Sequence, residues 1–442
     1  MPTDRQGNLL PNANLEAADC FDEAVHAFNV YRGDPVALLD QAVEHAPGFA
    51  MARIMKAHLM GLATEPEATA AAKGILAEVK TLRLGEREAS HVAALDHLLA
   101  GNWTRAATAL DRHSMRWPRD LVALQSGHLM DFYRANARAM RDRIARALPH
   151  WTADIPGHSI VQGMYAFGLE ETGDYARAEA IGSAATEALP QDCWAHHAVA
   201  HVLEMQGRPA DGLRWMKTRE PHWDGDDNFF KVHNWWHRAL CHLELGEPDA
   251  ALALYDARIR NGESGMALDL VDASALLWRL QLSGTDVGDR WQPIAAAWDA
   301  HADGRLYPFN DWHAAMAYLA ADRTPDVQRI LDSYRGIDSE ASEVDRWTRT
   351  TGRPLIEGFA AFWYGDYVRA ADLLHDARFI ANSFGGSHAQ RDIIDWTMTE
   401  AAIRAGMIEM AEALANERLA LRPHSPVNKA FLARARPHTM AA

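Results

Sequence analysis

Apolar residues recur along this chain at three- and four-residue spacing, in stretches rich in Ala, Leu, Glu and Arg that short Gly or Pro breaks interrupt. That period marks amphipathic helices, and runs with the two-residue alternation of strands are nearly absent. The unit is plain in GMYAFGLEETGDYARAEAIGSAATEALP: a helix, a Gly-Asp turn, a second helix carrying small Ala residues, and a Pro stop. The turn recurs at Gly101, Gly173, Gly207, Gly246, Gly365 and Gly406. Pro118, Pro190 and Pro423 each stand 17 residues after one of these glycines.

Gly173 to Gly207 is 34 residues, the period of the tetratricopeptide helix-turn-helix repeat. Glycine ends the first helix because a left-handed C-cap costs it little, Ala lets paired helices approach, and Pro stops the second helix. The pattern predicts an all-α, tetratricopeptide-like α-α superhelical solenoid. One continuous array over 20–425 is expected, with an N-terminal extension at 1–19, irregular units at 60–90, 115–155 and 260–350, and a frayed C-terminal tail at 426–442.

Composition narrows the function classes. At 442 residues the chain exceeds one compact core, so several domains or an extended array are the alternatives. A net charge of −16 argues against a nucleic-acid groove or an anionic membrane surface, both of which need clustered positive charge. Neither a signal-peptide core nor an 18-residue apolar run is seen, and Cys20, Cys193 and Cys241 form no CxxC pair. A cytoplasmic protein without disulfides or thiolate zinc is the expectation.

Histidine is the outlier. Of 22, seven fall within residues 196–242. His197 and His201 are four apart, as are His233 and His237, and the two pairs are offset by 36 residues, close to one repeat. Imidazoles at i and i+4 present their nitrogens to a common point, the geometry of helix-borne metal ligands. If the first helices line a concave groove, both pairs face it. Glu204, one turn beyond His201, reads as a further ligand, a base, or a group orienting an imidazole. Three readings stay open: a structural polar network, a divalent metal site with zinc foremost, or metal-free acid-base chemistry.

Further polar residues sit in apolar helices, which is costly unless they are satisfied. They include Asp269, Asp272 and Arg279, then Asn310, Asp311 and His313, then His388, Gln390, Arg391 and Asp392. Asp224, Asp226 and Asp227 flank the second histidine pair. Asn310-Asp311 equally fits an N-cap, and Trp235 and Trp236 fit core packing.

The strings WAHHAVAHVLEMQGRPADGL, HNWWHRALCHLELGEPDAALALYDARI, LVDASALLWRLQLSGTDVGDRW, FNDWHAAMAYLA and GGSHAQRD together resemble the tetratricopeptide repeat protein 38 family, over about residues 20–425. The resemblance implies an α-α solenoid and no particular reaction. His158 and His196 fit its pattern less well.

The leading expectation is an enzyme acting on a small polar molecule, with His197, His201, His233 and His237 holding a metal or exchanging protons. Glu204 or Asp272 would be base or orienter, His313 a further catalytic group, and Arg279 and Arg391 anchors for an anionic group. A metal-bound water would make hydrolysis the simplest chemistry. The rivals are a protein-interaction scaffold with a structural histidine network, and a non-catalytic small-molecule or haem binder. A protein partner or homo-oligomer stays open.

Overall fold

The computed structural model describes residues 1–337 and 341–436. Among them there are helices and no named strand, only two isolated bridges. The fold is all-α, a run of tetratricopeptide-like helical hairpins. In chain order the helices begin with α1 (Leu15–Val30), α2 (Pro35–His45), α3 (Ala50–Leu62), α4 (Pro66–Val79), α5 (Glu86–Leu99) and α6 (Trp103–Arg116). They continue with α7 (Leu121–Tyr133), α8 (Ala137–Ala147), α9 (His158–Glu171), α10 (Tyr175–Ala188), α11 (Cys193–Met205) and α12 (Pro209–Trp223). Next come α13 (Lys231–Glu244), α14 (Pro248–Leu254), α15 (Ala267–Leu282), α16 (Trp291–Trp298), α17 (Pro308–Ala320) and α18 (Thr324–Arg335). The last are α19 (Glu343–Trp347), α20 (Arg353–Trp363), α21 (Tyr367–Ala377), α22 (His388–Arg404), α23 (Ile408–Leu421) and α24 (Pro426–Ala435).

These helices group into two compact units, one of residues 1–199 and 219–231, the other of residues 200–218 and from 232 onward. The divisions fall inside or beside helices, where no compositional break announces them. Of the segment expected as a tail, Pro426–Ala435 is helix α24, packed on α23, while 437–442 lie outside the described residues.

All six turn glycines adopt left-handed backbone, with φ between 66° at Gly207 and 83° at Gly173. Three hairpins in the segments expected to be irregular use other residues in the same conformation: Thr64 (φ 58°), Ala135 (φ 51°) and Asp322 (φ 57°). A non-glycine residue there costs about 1 kcal/mol or more, which the packed helices on either side offset. Five-residue π-helical turns lie at Tyr255–Ile259 and Thr348–Gly352.

Small residues set how closely helices approach. A Cβ on Gly168 of α9 would meet Arg141 Cα at 2.6 Å and its nitrogen at 2.8 Å, so α8 runs backbone-to-side-chain against α9. Backbone cannot yield cheaply. Gly168→Ala is expected to destabilise the first unit by roughly 1–3 kcal/mol despite its better helix propensity, as measured by chemical denaturation. A neutral or stabilising result would show that α8 can shift freely.

Candidate functional site

The second unit gathers polar side chains from α11, α13, α15 and α22. His201, His233 and His237 are buried, and one ring nitrogen of each lies within 4.8 Å of those of the others. The i,i+4 spacing on α13 puts both of its rings on one face, as expected from sequence, and their Nε2 atoms are 3.1 Å apart. His201 faces His237 across the helix pair, ring centroids 4.4 Å apart.

Each α13 histidine is held from behind by a carboxylate. His233 Nδ1 is 2.7 Å from Asp272 Oδ2 on α15, and His237 Nδ1 is 3.0 Å from Glu204 Oε2 on α11. Asp272 is fixed in turn by Gln390, whose amide lies 3.4 Å from Oδ1 and whose carbonyl accepts the Ser387 N–H at the start of α22. His233 also stacks on Trp236, 17° from coplanar.

Proton accounting gives this arrangement its chemical meaning. An ionised carboxylate only accepts, so the Nδ1 facing it carries the hydrogen, and a neutral imidazole then presents a bare Nε2 lone pair. Two such lone pairs 3.1 Å apart in a buried site repel unless a cation lies between them, either a proton or a metal ion. Burial pushes the Glu204 carboxyl up to about 7, against the pull of Arg422 and Arg279. With its proton in place Glu204 donates to His237 Nδ1, His237 Nε2–H donates to His233 Nε2, and His233 Nδ1–H donates to Asp272, so the chain closes with both rings neutral. With Glu204 ionised, the facing Nε2 lone pairs suit a cation between them.

A second histidine cluster, which sequence reasoning missed, closes on a carboxylate and an arginine. In the first unit Asp120 Oδ2 is 3.0 Å from both His91 Nε2 and His113 Nε2 and accepts from Arg87 Nε at 2.5 Å, while His58 Nε2 is 3.1 Å from His91 Nδ1. One carboxylate there takes three donors, His91 Nδ1 accepts from His58, and Arg87 supplies the counter-charge. No further cation is called for. The available signal was the 33-residue step from His58 to His91, again one repeat.

This network should govern acid stability. Burial drives His91 down to about 4 and His58 well below 6.5, against the pull of Asp120. Below pH 6.5 the unfolded chain binds the protons that these buried rings refuse. The stability they contribute is thus complete above about pH 6.5 and is lost as the pH falls toward 4, with a slope of at most about 1.4 kcal/mol per pH unit for each group. His91→Gln is expected to flatten the stability profile between pH 6.5 and 4; an unchanged slope would place the acid sensitivity elsewhere.

The remaining expected site residues are placed as follows. His197 stands one turn before His201 on α11, counts with the first unit, and packs its ring against Phe167 and Phe230, with centroids at 5.0 and 5.2 Å. Arg279 is buried, gives NH1 to Ala275 O and NH2 to Ala389 O, and so ties α15 to the first turn of α22; burial lowers it to about 10. His313 sits among Phe309 and Trp312 with Nδ1 on Phe309 O at 2.8 Å, and burial takes it down to about 3. Arg391 bonds to Gly386 O and lies 3.1 Å from His388 Nδ1. Both Arg391 and His388 act electrostatically on His201, which burial and the neighbouring rings hold well below 6.5.

Of the flanking aspartates, Asp227 is engaged by Arg32 and Asp226 by Lys231. Asp392 belongs to an ion network with Arg418 and Arg422, which hold its carboxyl low against burial. No helix among the described residues is long and apolar enough to cross a membrane.

No family model matches the chain. Among solved structures, a human IFIT1 dimer with m7Gppp-AAAA aligns over 97% of this chain and 96% of its own at 14% identity and a TM-score of 0.43. The APC/C hetero-tetramer Cut9-Hcn1 gives 95% and 76%, 15% identity and 0.42. Yeast Tom70 gives 96% and 89%, 13% identity and 0.36. At such scores the ligands and partners of those proteins do not transfer to this chain.

Proposed function

We propose that the second unit is a divalent-metal centre, zinc foremost, with His201, His233 and His237 as ligands, serving hydrolytic chemistry on a small polar molecule. The observation that supports it is the 3.1 Å approach of two Nε2 atoms whose Nδ1 atoms are both engaged by carboxylates. A shared proton would use only those two nitrogens; the convergence of a third imidazole suits a metal better. Three nitrogen ligands with carboxylates behind the imidazoles is the donor set of zinc sites, in which the carboxylate fixes the tautomer and raises ligand basicity. When bound, the metal supplies a Lewis acid and an activated water. The chain's own contribution is to hold Nε2 lone pairs toward it and to seat Arg391 and His388 near His201, where they favour an anionic substrate group.

Glu204→Gln and Asp272→Asn are each expected to lower metal affinity about 10–100-fold without unfolding the protein. Competition with a chromophoric chelator measures this. Unchanged affinity in both variants would remove the carboxylates from the site's design. The reading as a whole fails if protein from zinc-supplemented growth carries no metal and binds none on titration.

A second reading has the fold in its favour: a protein-interaction scaffold in which the histidines form a structural network, since helical-hairpin arrays present extended binding surfaces. It predicts stability loss on replacing any one histidine and no metal dependence. Membership in the tetratricopeptide repeat protein 38 family and a cytoplasmic location remain part of the proposal.

A further inference from the structure

Apart from the histidines, the second unit has a cavity of about 140 Å³ among α15, α20, α21 and α22. Its walls are Trp278, Leu282, Phe362, Trp363 and Tyr367, with Gln281 and Arg404 at the rim. Trp278 lies 5.8 Å from Trp363 and 6.0 Å from Phe362 between ring centroids, and Phe362 lies 5.4 Å from Tyr367. Trp278 is buried and commits its N–H to Thr397 at 2.9 Å, so it offers the cavity no donor. An enclosed apolar cavity of about 150 Å³ takes up a benzene-sized guest; here a similar volume has aromatic walls and a polar side open to solvent.

Charge at the rim adds selectivity. Arg404 lies over Phe362 and Tyr367, its guanidinium carbon 5.1 and 5.6 Å from their centroids, and bonds to Glu400 at 2.7 Å. Glu400 also takes two bonds from Arg434, at 2.7 and 2.8 Å. One carboxylate between two guanidiniums leaves that corner with a net positive charge, on a chain whose balance is −16. The Arg404 side chain is 35% exposed, so the cationic edge is reachable from water.

We propose that this cavity binds a single aromatic ring bearing a carboxylate, the ring against the half-buried Trp363 and Tyr367 and the anion at Arg404. Two sources share that chemistry: a free aryl carboxylate, and a polypeptide ending in an aromatic residue. The inference is independent of any metal.

The test is a titration of the full chain, followed by tryptophan fluorescence and ligand-observed NMR, with benzoate, benzyl alcohol and cyclohexanecarboxylate as probes. Benzoate is expected to bind saturably at roughly millimolar strength, about tenfold more tightly than benzyl alcohol, which lacks the charge. Cyclohexanecarboxylate, lacking the flat ring, should be weaker than benzoate. Arg404→Gln should remove the preference for benzoate over benzyl alcohol while keeping ring binding. Leu282→Phe, which fills the cavity, should abolish both, and covers the case in which the arginine variant fails to fold. Equal binding of charged and neutral rings by the natural protein, or undiminished binding by Leu282→Phe, overturns the proposal. A short peptide ending in Phe, compared with its C-terminal amide, separates the sources: tighter binding than benzoate assigns a chain terminus, weaker binding a free small molecule.

Discussion

A His233→Ala, His237→Ala double variant is expected to purify without bound metal, and the natural chain to purify with zinc. The argument rests on what each imidazole does in place. With Nδ1 engaged by Asp272 and Glu204, His233 and His237 have only their facing Nε2 atoms left to hold a cation, and the double change removes both, leaving His201. A ligand that binds only the folded state stabilises it by about 4 kcal/mol at a free concentration 1,000 times its dissociation constant. For a unit of this size that corresponds to a midpoint on the order of 10 °C higher. Chelator should therefore lower the melting midpoint of the natural protein and leave that of the variant unchanged. Elemental analysis and a chelator melt read the two effects separately. If the variant keeps its metal, the ligands lie elsewhere; if the natural protein melts identically with and without chelator, the cation is a proton and the network is structural.

Asp120→Ala is expected to cost the first unit about 4 kcal/mol, in the range for breaking a buried ion pair by removing one partner. Asp120 does three jobs at once. Its Oδ1 caps α7 through the Ala123 N–H at 3.1 Å, its Oδ2 accepts from Arg87, and the same oxygen is the partner of His91 and His113. Truncation strands a guanidinium whose side chain is 10% exposed, leaving it Asp4 and the Leu9 carbonyl, each at 3.3 Å, and opens two imidazole N–H groups with no acceptor. Asp120→Asn, which keeps the cap and a carbonyl, should cost less. Urea denaturation followed by circular dichroism measures both. A loss within about 1 kcal/mol for the alanine variant would mean that the network reorganises around its absence, contrary to the tight packing of interiors.

The helical class and the hairpin register were legible because both depend on local chemistry. A glycine that can take φ near 70° and a proline that cannot continue a helix act within one turn of themselves, so Gly101, Gly173, Gly207, Gly246, Gly365 and Gly406 could be found by inspection and all adopt the required backbone. The turns at Thr64, Ala135 and Asp322 could not, because there the conformation is imposed by packing against the residue's own preference. For the same reason the two-unit division was invisible, since it is a matter of contacts.

The histidine pairs show the same boundary at the level of chemistry. Spacing of four on a helix determines that His233 and His237 share a face, and the 36-residue offset that a second pair follows one repeat away. Which nitrogen points inward depends on Asp272, 39 residues beyond His233, and on Glu204, 33 before His237. Arg279 and His313 looked no different from these in sequence, yet their donors are spent on backbone carbonyls. Sequence alone thus determined the helices, their turns and the face each histidine occupies. Tertiary structure alone decided which polar groups meet, because a buried hydrogen bond is chosen by whichever partner the packing brings within reach.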